Sequence, residues 1–161
     1  MPPPIPPPVL LTPYLLAQRY VGVRELFGDK DHPLVQWWLS LCHYNLDAPD
    51  EIPWCAAFVN GMCWELRLQR SKSAAARSWL NVGIPINLID AEPGFDVVIF
   101  KRGKAPQPGP EVIAAPGHVG FYAGRDLGTG NILILGGNQG DSVSIQQFPA
   151  LDVLGVRRLT A

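Results

Sequence analysis

The period of the apolar positions changes along the chain. In the first half they recur at helical spacing. Leu34, Trp37, Trp38 and Leu41 predict a helix from Pro33 to about Cys42. Cys55, Val59, Met62 and Leu66, at i, i+4, i+7 and i+11, predict a central helix from Pro53 to about Gln69. Thr12-Pro13 reads as an N-cap and a first-turn proline, so a short helix follows from Tyr14 to about Tyr20. "SAAARSWLNVG" predicts one more, ending near Gly83. The second half is different. "FDVVIF" (95–100), "HVGFYAG" (118–124), "NILILG" (131–136), "SVSIQQF" (142–148) and "VLGVRRL" (153–159) are short β-rich runs, separated by glycine and proline turn signals. Helices first and antiparallel strands afterwards predict an α+β domain, its N-terminal helices packed on a small antiparallel β-sheet. "VGVRELFGDKDHP" reads as an irregular connection, and "KRGKAPQPGPEVIAAPG" as a long loop overhanging the sheet edge.

Composition narrows the classes. At 161 residues, 47% hydrophobic and 17% charged, the chain is long enough for one domain with a real core. A net charge of -1 argues against a nucleic-acid binder that relies on phosphate neutralisation. Arg67, Arg70, Lys72 and Arg77 form a local basic cluster, either a solvated helix face or a patch for anionic wall polymer. The three cysteines, Cys42, Cys55 and Cys63, make no disulfide framework, and no metal-ligand spacing is present, so no metal or other cofactor is expected. No apolar run is long enough for a membrane span. Six of the first eight residues are proline, which fits a polyproline II tail rather than a signal peptide. Residues 1–11 are expected to be a flexible tail and 12–161 a single domain.

Cys55 is the residue that raises a chemical question. It is in line with the buried face of the central helix, yet it opens that helix. A helix start favours a thiolate and offers amides to an oxyanion. A nucleophilic cysteine also needs a base. His118, between Gly117 and Gly120 at the start of a strand, is the histidine in the most organised setting. The base in turn needs an orienting group, and "GGNQG" at the end of the next strand offers Asn138 and Gln139. Each residue alone reads equally well as structure: a core cysteine, a satisfied strand histidine, a tight turn.

"PWCAAFVNGMCW", "SAAARSWLNVG", "PGFDVVIF", "GHVGFYAG" and "ILGGNQGDSVSI" together resemble the CHAP-type (cysteine, histidine-dependent amidohydrolase/peptidase) cell-wall hydrolases of bacteria and phages, related to the NlpC-type peptidases. The resemblance spans residues 14 to 159. It implies a papain-like cysteine peptidase core, with Cys55 as nucleophile, His118 as base and later acid, and Asn138 as orienting amide, Gln139 being the alternative. It also places Trp54, Glu51 and Gln139 beside the substrate. Two features depart from the family pattern. Pro93-Gly94-Phe95-Asp96 stands where relatives have "PGD", and Gly136 and Gly137 stand where some carry a glutamate.

The implied activity is hydrolysis of an amide bond in the peptidoglycan peptide stem, or of the stem's link to the glycan. The implied setting is a phage endolysin released by a holin, or an antibacterial effector delivered by a secretion machine and paired with an immunity protein. In either case synthesis is cytoplasmic and action is in the periplasm or wall. The alternatives from other classes are a non-catalytic wall-binding domain and a cysteine acyltransferase or transpeptidase.

Overall fold

A computed structural model describes residue 5, residues 8–26 and residues 30–161. Most of the expected polyproline II segment, residues 1–8, lies outside the described residues.

Three α-helices precede a six-stranded antiparallel sheet: α1 (Pro13–Gln18), α2 (Pro33–Ser40) and α3 (Cys55–Glu65), then β1 (Ile84–Ile86), β2 (Asp96–Lys101), β3 (Gly117–Arg125), β4 (Ile132–Gly136), β5 (Ser144–Phe148) and β6 (Val153–Arg158). The spatial order is β1-β6-β2-β3-β4-β5. The architecture is α+β, as the change of period predicts. The short strand β1 carries no alternation to reveal it; it pairs with β6, Ile84 opposite Arg158. "SAAARSWLNVG" forms a 3-10 helix over Ala76–Asn81.

Thr12 caps α1, its hydroxyl accepting from the Leu15 N–H at 3.2 Å. The central helix is shorter than its apolar spacing suggests. It begins at Cys55 because Trp54 has non-helical dihedrals. It ends at Glu65 because Arg67 turns left-handed, at φ 56°. The Arg67 N–H reaches the Trp64 carbonyl and the Leu68 N–H the Cys63 carbonyl, the two bonds of a Schellman end. Arginine occupies the place where a glycine would have announced the stop.

Every residue from Cys55 to Cys63 is buried, so α3 has no solvent face over its first two turns. It packs on the sheet face bearing Val97, Ile99, Val119, Phe121 and Leu135. The opposite face carries a smaller cluster with Val98, Phe100, Ile132 and Ile134. Trp38 stacks on Trp54 and meets Phe58 edge-on, which ties α2 to the start of α3.

Two sequence expectations change here. Arg77 belongs to no basic patch: it is 0% exposed and donates to the carbonyls of Pro108, Gly109, Val112 and Pro116. It therefore ties the long loop between β2 and β3 down onto the 3-10 helix. The connection after α1 is partly regular, since Gly22, Val23 and Glu25 exchange backbone hydrogen bonds with Asp141 and Val143. Asp96, the first residue of β2 after the longer turn, is fully buried and forms a two-bond pair with Arg158 at 2.7 and 2.8 Å.

Candidate active site

The start of α3 sits over the start of β3. The Cys55 sulfur faces three backbone N–H groups: its own, that of Ala56, and that of Val119, the residue after His118. Cys55 and His118 are almost fully buried, at 2% and 4% exposure, but neither is sealed off. Cys55 lines a cavity of about 310 Å³, and His118 one of about 190 Å³. Arg102 borders both.

The orientation of the imidazole follows from its neighbours. His118 Nε2 is 2.9 Å from the Gln139 side-chain oxygen. The Gln139 amide nitrogen donates to the carbonyls of Ile134 and Ser144, at 3.2 and 2.7 Å. Those acceptors fix the amide, leaving its oxygen toward the ring. His118 Nε2 must then carry the proton, and Nδ1 is left with a lone pair. Phe148 of β5 stacks on the ring at 4.8 Å and 11°, which holds its plane. Gly136 leaves room for the contact, because a Cβ there would stand 2.7 Å from the Gln139 oxygen and 3.4 Å from His118 Nε2.

The orienting amide is thus Gln139, not Asn138. Asn138 takes the left-handed turn conformation, φ 55°, which asparagine tolerates better than most residues. That turn sends the next side chain, Gln139, inward to 3% exposure, while Asn138 lines the His118 cavity from its rim. Trp54 is not a surface for substrate. It is 0% exposed, stacked on Trp38, and its indole N–H donates to Glu25 at 2.7 Å. Glu51 is exposed and lines neither cavity. Phe148 and Arg102 had no signal in the sequence beyond a strand aromatic and a loop cation.

Burial also corrects the expected ionisation. Loss of solvent pushes the Cys55 thiol up, and the three N–H groups and Arg102 oppose this without prevailing. Loss of solvent pushes His118 down to about 4; the Gln139 bond opposes that and Arg102 adds to it. The resting pair is a neutral thiol and a neutral imidazole.

The pH consequences have a definite sign. Activity that needs neutral His118 should have its acid limb in kcat/KM near pH 4 rather than near 6.5. Between those values the unfolded imidazole binds a proton and the native one does not, so stability falls as pH drops through the window. The loss over the whole window is roughly 3 kcal/mol, to be read from urea midpoints at pH 7 and pH 4.

No protein-family model and no curated protein matches the chain. Among solved structures it is similar to NlpC1 from Trichomonas vaginalis, at 19% identity and a TM-score of 0.48, over 92% of this chain and 44% of that one. The chain spans under half the length of that protein. So distant a likeness carries no argument about chemistry, which rests on the helix start, the strand and the Gln139 turn.

Proposed function

We propose that the protein is a cysteine hydrolase of amide bonds in peptidoglycan, an endopeptidase or amidase of the CHAP or NlpC kind. The observation that carries this reading is the Gln139-held imidazole on β3, next to the residue whose amide meets the Cys55 sulfur. Cys55 attacks the amide carbonyl and transfers its proton to His118 Nδ1. The N–H groups at the start of α3 stabilise the oxyanion. His118 returns the proton to the leaving amine, and water then releases the acyl group from sulfur. Peptidoglycan lies beyond the cytoplasmic membrane, so this function needs a delivery route such as a holin or a secretion machine.

The test is digestion of purified peptidoglycan followed by mass spectrometry of the muropeptides. New amine and carboxyl termini are expected. Their absence, when a known hydrolase produces them from the same material, rejects the reading. Alkylation near pH 6 does not separate it from a non-catalytic domain, because a buried neutral thiol labels slowly under either. Turnover does.

Exchanging the orienting residue tests the site itself. Gln139→Leu should lower kcat roughly a hundredfold by freeing the ring to take the other tautomer. Asn138→Gly keeps the left-handed turn and removes only the carboxamide, so kcat should stay within about threefold. The reverse ranking would return the orienting role to Asn138.

A further inference from the structure

We infer that Arg102 is a specificity residue that receives a substrate carboxylate beside the scissile amide, so that the site selects anionic peptides over amidated ones. The inference rests on the hydrolase reading for its amide, but its observations are separate.

Arg102 directly follows β2 and begins the long loop that Arg77 ties down. It is exposed, and among the described residues its side chain has no ion pair or hydrogen bond. It is also the one residue shared by the two cavities, bordering the Cys55 cavity and the His118 cavity alike. It thus stands at the edge of the space beside the sulfur and of the space beside the imidazole.

The charge of the linings has one sign. Lys101 joins Arg102 at the His118 cavity, and no aspartate or glutamate lines either space. The chain as a whole is at -1, so this is not a general basic surface. Small apolar side chains, including Ala74, Ala75, Ala114 and Ala115, form much of the Cys55 cavity. They accept a small side chain and leave Arg102 as the only charged partner there. A planar guanidinium suits a carboxylate through two parallel N–H donors. Substrates with an amide to cut are peptides, and the anionic group a peptide carries is a carboxylate. Arg102 acts electrostatically on both Cys55 and His118, which agrees with its place at the edge of both cavities.

The experiment uses the whole chain as Cys55→Ala, with Cys55→Ser as a second background, so that binding is read without turnover. The probe is the stem tripeptide L-alanyl-γ-D-glutamyl-meso-diaminopimelate, alongside versions amidated at one carboxylate each, titrated by calorimetry. At least one amidation should weaken binding about tenfold. Arg102→Met in the same background should bring that ratio below about twofold by lowering affinity for the free acid. Equal binding of all versions, no binding of any, or a ratio that survives Arg102→Met overturns the inference. Wild-type turnover is scored separately. Discrimination without turnover rejects the hydrolase and keeps the carboxylate site; turnover without discrimination does the opposite.

Discussion

Cys55→Ala should abolish amide hydrolysis, with a loss on the order of ten-thousandfold or more, while the domain stays folded. The other two thiols cannot substitute. Cys42 is pushed up to about 12 by burial, and Cys63 is pushed up further; nearby Arg70 only partly opposes this. Neither lies beside the imidazole-bearing strand in the way that Cys55 meets the Val119 amide. The variant removes one buried sulfur, a stability cost of about 1 kcal/mol, which a domain of this size tolerates. Muropeptide analysis and far-ultraviolet circular dichroism on the same sample decide the matter. A folded variant that still cleaves places the nucleophile elsewhere. An unfolded one makes Cys55 a core residue first, and Cys55→Ser then becomes the informative change.

The second large effect concerns stability, and its sign must be decided between two opposing contributions. Gly61 lies in the middle of α3, where replacing glycine by alanine favours the helix by about 1 kcal/mol. A Cβ at this position, however, would stand 2.3 Å from Cδ1 and 2.8 Å from Nε1 of Trp38. Trp38 is 0% exposed and cannot swing away: it is stacked on Trp54 and faces Phe58 and Tyr20 edge-on. Relieving the overlap means moving α2 or repacking four rings, about 3 kcal/mol. Overpacking wins. Gly61→Ala should be destabilised by about 2 kcal/mol, seen as a lower urea midpoint at unchanged slope. A variant as stable as the parent would mean that the Trp38 pocket has slack. Trp54 precedes Cys55 directly, so the same substitution should also lower activity by shifting the helix start.

The candidate site was partly visible in the residues alone. Cys55 and His118 could be singled out because each opens a regular element, and element starts leave signs in local sequence. Pro53-Trp54 before the cysteine and Pro116-Gly117 before the histidine are such signs. The third residue could not be settled that way. Asn138 and Gln139 are adjacent amides, and which one meets the ring depends on a single left-handed dihedral in the turn. The thiolate expected from the helix start was wrong for a related reason: the amides are there, but the amount of protein around the sulfur outweighs them.

The sequence by itself determined the elements of this protein: the five longer strands, the order of helices before sheet, and a cysteine and a histidine at the head of their elements. Period and punctuation are local, and the backbone imposes them over a few residues at a time. Tertiary structure alone decided that Trp54 is core, that Arg77 holds a loop, that Gln139 orients the ring and that Arg102 stands at the edge of two cavities. Those outcomes depend on contacts made across tens of residues, such as Arg77 with Pro116 and His118 with Gln139. Burial and charge at such contacts are sums over neighbours that only the folded chain brings together.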